Sequence, residues 1–360
     1  MENMVNEITF ERYKNKKIFI TGHTGFKGTW LSIWFDLLEA EVKGYSKSSN
    51  YRFYSEIKNS LKNHTSIKGN INNKKKLEKE ILSFQPDYIF HLAAQPLVKQ
   101  SYKYPLETFN TNIIGTANLL DVVKKLKKRC NVICITTDKV YLNNNEKVAF
   151  REEDKLGGYD PYSSSKAACE IVIESYRNSF FNSSNFESHQ IALASARAGN
   201  VIGGGDYSKN RIIPDIFKSL SENKLITIRN PKFIRPWQHV IEALNSYLIL
   251  GLHLDNNPKK YSTSYNFGPD NDDIVSVEEL VKEAIRIWGS GGYKILGKQD
   301  FHEAQFLMLD NRKAKVELNI FPRWNAKQAI SVTMNWYKKS LNADTDLLLM
   351  CIDEITKFKK

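Results

Sequence analysis

The sequence predicts an α/β fold, a doubly wound parallel sheet followed by a smaller mixed C-terminal lobe. Three observations carry this. Short β-rich runs alternate with helical patterns through the first half of the chain. A turn with regularly spaced glycines joins the first of those runs to the first helix. Beyond Gly199 the alternation loosens.

Taken in order, residues 17–21 (Lys-Ile-Phe-Ile-Thr) read as a buried strand and residues 26–38, rich in Leu, Ile and Trp, as a helix. Residues 41–45 give a second strand, 72–84 an amphipathic helix, and 87–92, apolar after Asp87, another strand. Residues 106–126 read as one long helix, 132–136 as a strand, 163–179 as a helix and 191–196 as a strand. Alternation of this kind places helices on both faces of a parallel sheet. Farther on, Gly203-Gly204-Gly205 reads as a flexible loop. Helices are expected at 212–220, 238–253 and 277–288, with a short strand at 225–228. The boundaries that follow are 15–198 for a dinucleotide-binding domain and 199–345 for a smaller lobe. The lobe is partly interleaved with the first domain and closes over the carboxyl ends of the strands.

Composition narrows the function classes. The chain has 360 residues and a formal charge of +12, its Lys and Arg spread along the sequence. No nucleic-acid reader motif accompanies that charge, so nucleic acid is not an expected partner and an anionic small substrate is. No apolar run approaches the ~20 residues of a membrane span. Residues 1–17 are polar and mixed in charge, unlike a secretory signal, so the expected compartment is the cytoplasm, with no membrane partner. Cys130, Cys134, Cys169 and Cys351 form no C-x-x-C pair and lie near no His cluster; buried reduced thiols are expected, and no metal site.

Gly22, Gly25 and Gly28 give a G-x-x-G-x-x-G turn between the first strand and the first helix. Such a turn lets a pyrophosphate approach the backbone and aims it at a helix N-terminus, the Rossmann arrangement. The second strand ends Gly44-Tyr45-Ser46, without the acid that grips an adenine ribose. With Lys27 and Lys47 nearby, these residues leave NADP open beside NAD.

Tyr162 and Lys166 form a Y-x-x-x-K pair, one turn apart on a helix face. An ammonium beside the phenol is expected to lower its pKa from ~10 toward neutrality, making a base for an alcohol proton. Thr136-Thr137-Asp138-Lys139 follows a strand, at the end where such folds hold ligands. Thr137, Asp138, Lys139, Tyr162 and Lys166 are therefore the candidate catalytic set.

The chain resembles the extended short-chain dehydrogenase/reductases, and within them the CDP-glucose 4,6-dehydratases. The stretches that carry the likeness are TGHTGFKGTW (21–30), HLAAQPLVKQSY (91–102), TNIIGT (111–116), TTDKVY (136–141), GGYDPYSSSK (157–166), ARAGNVIGGGD (196–206), RNPKFIRPWQHV (229–240) and YNFGP (265–269). The resemblance implies a redox-neutral dehydration with NAD as cofactor. Tyr162 and Lys166 would serve C4 oxidation with Thr137 on the C4 oxygen, and Asp138 would protonate the departing C6 hydroxyl. Lys139 stands where dTDP-glucose relatives carry a Glu base, so it acts either as a neutral base or as an enolate-stabilising cation. Gly22, His23, Thr24, Gly25, Phe26, Gly28, Asn70, Ile71, Leu92, Ala93 and Ala94, with Tyr162 and Lys166, would line the cofactor. Asn70 stands where relatives often have Asp. Gln95, Asn200, Arg211 and Arg235 would meet the nucleotide sugar, though Gln95 could equally cap a loop. The likeness further implies a homodimer built on 106–126 and 163–179, and a product used for surface deoxysugars. A sugar-nucleotide 4-epimerase or reductase, which needs no acid at Asp138, and a catalytically silent dinucleotide sensor are the competing readings.

Overall fold

The protein, here a computed structural model, is described over residues 9–296 and 304–359. Seven strands form the central sheet: β1 (Lys17–Thr21), β2 (Glu41–Ser46), β3 (His64–Lys68), β4 (Tyr88–His91), β5 (Cys130–Ile135), β6 (Ile191–Ala198) and β7 (Ser264–Phe267). Their order is β7-β6-β5-β4-β1-β2-β3, with every pairing parallel. The order reverses beside β1, which opens a crevice at the carboxyl ends of β1 and β4.

Period-two alternation explains how each strand feeds two layers. Ile18 and Ile20 pack into one core while Phe19 between them packs into the other; Ile133 and Val132 divide in the same way. The first core lies under α1 (Phe26–Leu37), whose Trp30, Leu31, Ile33, Trp34 and Phe35 are wholly buried. The second lies under α2 (Lys74–Phe84), α3 (Gly115–Val123) and α4 (Pro161–Ser179). Burial of each large side chain stabilises the fold by roughly 1.5–3 kcal/mol.

Strand β1 matches its predicted bounds, and the other predicted strands move by one or two residues at their ends. The stretch 106–126 is not one helix. It runs as Pro105–Phe109, a π-helical segment Asn110–Ile114, and α3. The π segment turns Asn112 inward, where its amide donates to Ser165 Oγ at 2.8 Å and its Oδ1 accepts from Gln95 N at 2.8 Å. Farther on, α5 (Ile212–Ser221) and α6 (Val240–Asn256) follow; Gln238–His239, expected to be helical, pairs instead with Val201–Ile202. Three more helices are α7 (Val277–Trp288), α8 (Ala326–Lys339) and α9 (Leu347–Lys359).

The Gly203–Gly205 stretch is buried rather than flexible. A side chain on Gly204 would run into the Trp336 ring, and the Gly204 carbonyl accepts from Trp30 Nε1 at 2.8 Å. Gly205 holds a φ of 84° against Phe53. These glycines permit aromatic rings to lie on the backbone.

Candidate active site

The glycine turn sits at the crevice. Gly22 has a φ of 76°, and a Cβ there would stand 2.8 Å from Ala93 N. A Cβ on Gly28 would strike the Gly22 carbonyl. No side chain fits at Gly22 or Gly28. The N-terminus of α1 at Gly25 has no side-chain cap and no acid in its first turn, leaving its amides for an anion. His23 is fully buried, bonded to Ser46 Oγ at 2.9 Å and Ser66 Oγ at 2.7 Å; burial, with His64 beside it, lowers its pKa to about 3. Thr24 Oγ1 donates to the Ser48 carbonyl at 2.7 Å. On the other side, Thr21 Oγ1 meets His91 Nδ1 at 2.7 Å and accepts from Ala93 N at 3.2 Å. Leu92, Ala94 and Phe26 border the cavity described below. Ile71 is buried in the second core, and exposed Asn70 caps its own turn through Asn72 N at 3.0 Å. These residues fit a dinucleotide: an uncapped helix end, a turn whose Gly22 and Gly28 leave the backbone bare, and short polar groups where β2 ends. Near that end Lys47 pairs with Glu107 at 3.1 Å. Lys27 lies instead in the reactive cleft, half-buried near Lys166, Arg211 and Asp138, where burial first and the Lys166 and Arg211 cations next lower its pKa to about 7.

The reactive residues come together at the end of β5. Asp160 caps α4 by accepting from Ser163 N at 3.0 Å, and Pro161 occupies its first turn. The helix then presents Tyr162 and Lys166 on one face, both less than a tenth exposed. Tyr162 is anchored by its N donating to Ser101 Oγ at 3.1 Å. Opposite lies a 3₁₀ turn, Asp138–Val140, entered from Thr137. The Thr137 hydroxyl lies beside the Tyr162 phenol and donates to Asp138 Oδ1 at 2.9 Å. Asp138 Oδ2 is buried with no partner. An unmatched carboxylate oxygen on a cavity wall costs stability unless a ligand hydroxyl meets it. Lys139 is half-buried on the same wall.

One expectation is corrected. Tyr162 is not pushed toward neutrality: burial raises its pKa to about 12, with nearby Thr137 and Arg211 pulling in the opposite direction. Lys166 Nζ donates to the Ile135 carbonyl at 3.3 Å and does not offset that burial.

Both groups face one cavity of about 670 Å³, the size of a ligand pocket. It extends from Tyr162 and Asp138 past Asn200 to Arg211 and Arg235. Arg211 pairs with Asp206 at 3.0 Å and is about one-third exposed; Arg235 is buried, its guanidinium 5.2 Å from the Phe233 ring centre. Gln95 stays out of this set. Its Nε2 donates to Thr108 Oγ1 and the Leu97 carbonyl, and its Oε1 accepts from Leu97 N, so it caps the loop. The sequence reading passed over Lys99, Tyr141, Thr227, Arg229 and Phe233, which also line the cavity. The RNPKF run (229–233) holds two of them, and its Arg beside Asn and Pro was the available signal. Among the described residues no His, Cys, Asp and Glu cluster could hold a metal ion, no helix is long and apolar enough to cross a membrane, and all four cysteines are free and buried.

Comparisons with known proteins agree with this arrangement. The chain is 41% identical over 351 residues to the CDP-glucose 4,6-dehydratase of Salmonella typhimurium, covering 96% of this chain and 97% of that one. Among solved structures, dTDP-glucose 4,6-dehydratase from Bacillus anthracis in complex with NAD superposes with a TM-score of 0.74 at 24% identity, covering 90% and 97% of the two chains. UDP-glucose 4-epimerase from Thermotoga maritima, solved with UDP-glucose, gives a TM-score of 0.78 at 21% identity, covering 91% and 100%. The sequence pattern described as GDP-mannose 4,6 dehydratase matches residues 19–333, and the chain belongs to that family.

Proposed function

We propose that this protein is an NAD-dependent sugar-nucleotide 4,6-dehydratase, a hydro-lyase that converts CDP-glucose to CDP-4-keto-6-deoxyglucose and water. The observation that carries the reading is a buried Asp138, held by Thr137 and with its second oxygen unpartnered, on the same cavity as Tyr162. A base for C4 oxidation and an acid face one another across one cleft. An epimerase has use for the first and none for the second. The 41% identity to the Salmonella enzyme supports CDP-glucose as the substrate.

When bound, NAD+ supplies the hydride acceptor for C4 and the hydride donor for C6, and its positive charge favours the Tyr162 phenolate that burial opposes. The glycine turn with His23, Thr24 and Phe26, the Leu92–Ala94 segment, Asn70 and Ile71 would hold it. Tyr162 takes the C4 hydroxyl proton while Thr137 bonds the oxygen and Lys166 fixes the local charge. The resulting ketone acidifies the C5 proton. That proton leaves, the C6–oxygen bond breaks as Asp138 protonates the departing hydroxyl, and water is released. C5 then regains a proton as hydride arrives at C6. Lys139, next in chain to the acid, is assigned to the C5 step. Asn200, Arg211 and Arg235 are assigned to the nucleotide sugar, arginine suiting a diphosphate.

Residues 199–345 are proposed as the substrate lobe and 15–198 as the cofactor domain. A homodimer is proposed through the Pro105–Val123 and α4 surfaces, where Leu106 is 75%, Ile171 58% and Ile114 50% exposed. The cytoplasm is the proposed compartment, in keeping with four unpaired thiols. The product is an activated precursor for surface deoxysugars.

The test is incubation with NAD+ and CDP-, dTDP- or GDP-hexoses. Loss of water from CDP-glucose without net reduced cofactor is expected. An epimerised hexose of unchanged mass, or no change with any sugar nucleotide, overturns the reading.

A further inference from the structure

A buried ionic network lies behind the reactive wall. Glu170 follows Tyr162 and Lys166 along one face of α4 and, like Arg197 on β6, is almost wholly buried. Glu170 Oε1 accepts from Thr136 Oγ1; its Oε2 accepts from Ser195 Oγ and from Arg197 Nη2, both at 2.8 Å. Arg197 Nη1 donates to Tyr141 Oη at 2.8 Å and to the Glu152 carbonyl at 2.9 Å. Tyr141 Oη in turn donates to Asn266 Oδ1 at 2.6 Å, and Asn266 sits opposite Arg197 in the β6–β7 register.

Thr136 and Tyr141 are the residues on either side of the segment that carries Thr137, Asp138 and Lys139. One carboxylate–guanidinium pair therefore grips both ends of that segment from two other elements. Lys166 adds a third hold, through the Ile135 carbonyl. Asp138 itself has only its neighbour Thr137 as a side-chain partner, so its aim depends on the backbone that carries it. A buried ion pair contributes little net stability compared with apolar packing. Fixing a geometry is what a buried network bonded at this many points does well, here with Arg197 Nε as its one unpartnered atom.

We propose that Glu170, Arg197 and Tyr141 are positioning residues that hold the Asp138–Lys139 turn in register with Tyr162, so that elimination, more than C4 oxidation, depends on them. This rests on the dehydratase reading. Tyr162 sits on α4 and keeps its place without Arg197. The acid and Lys139 do not. A displacement of about 1 Å is enough to slow a positioned step by around a hundredfold.

Tyr141→Phe removes one hydroxyl and leaves the ring stacked on Phe150, with centroids 5.0 Å apart. Arg197→Lys keeps the charge and loses the fork. Each is mixed with NAD+ and CDP-glucose in a single turnover, following reduced-cofactor absorbance for oxidation and mass loss of water for elimination. Elimination is expected to fall roughly ten- to a hundredfold while oxidation keeps most of its rate, so that reduced cofactor accumulates on the protein. The thermal midpoint of Tyr141→Phe should stay near that of the parent. If both steps fall together in a folded Tyr141→Phe, or neither changes, the proposal is overturned. Failure of the unmodified protein to dehydrate any sugar nucleotide would appear before a variant is made, and would overturn the dehydratase reading and this proposal with it.

Discussion

The two walls of the reactive cleft are held by different means. Tyr162 and Lys166 stand on a regular, capped helix, where spacing alone sets their geometry. Thr137, Asp138 and Lys139 stand on a short turn whose shape comes from residues 30 to 130 positions away in the chain, among them Glu170, Arg197 and Asn266. A helix wall tolerates local change as long as the helix forms. A turn wall transmits distant change straight to the chemistry.

That contrast can be broken or sharpened in five ways. Tyr162→Phe should slow C4 oxidation by roughly 10²–10⁴-fold with CDP-glucose binding retained, measured in a single turnover. Asp138→Asn should leave oxidation and slow elimination by about 10²-fold or more, so reduced cofactor builds up. Absence of that build-up would remove Asp138 as the acid. Gly204→Ala, in neither wall, should lower stability by about 1–3 kcal/mol through its clash with Trp336, with the ratio of the two steps unchanged; thermal unfolding and the single-turnover assay read both. Beneath the walls, His23 and His91 are held neutral by burial, each with a pKa lowered to about 3. Their unfolded forms bind protons near 6.5, so stability should fall as pH drops from about 6.5 toward 3, by at most roughly 1.4 kcal/mol per pH unit for each. His91→Gln should flatten that slope in pH-dependent melts. Smallest, Asp160→Ala should cost about 1 kcal/mol by uncapping α4, again without shifting the balance of steps.

The same contrast explains how much could be read beforehand. The strand β1, the glycine turn and the Y-x-x-x-K helix depend on local pattern and lie where expected. Strand β3 (His-Thr-Ser-Ile-Lys) is a polar edge strand whose only apolar residue is Ile67, so no alternation marks it. Strand β7 is four residues long and is defined by its pairing with β6, a nonlocal fact. Gly203–Gly205 carried the signature of flexibility because nothing nearby announces the Trp336 ring more than a hundred residues on. Gln95 could face the sugar or cap a loop as far as sequence goes, and its bonds to Thr108 and Leu97 make it a cap. The Tyr162 pKa went the other way because depth of burial is invisible in a spacing pattern.

Strand β7 arrives late in the chain, and α9 later still, its Phe358 ring lying edge-on to Trp34 of α1 with centroids 6.5 Å apart. Ribosomal synthesis delivers β1 and α1 about three hundred residues before the α9 helix that packs on α1. The sheet edge at β6 waits in the same way, for about seventy residues. The Trp34 face that meets Phe358 is therefore open on a nascent chain until α9 emerges, and truncations that spare every reactive residue but remove α9 would leave it open to misassociation.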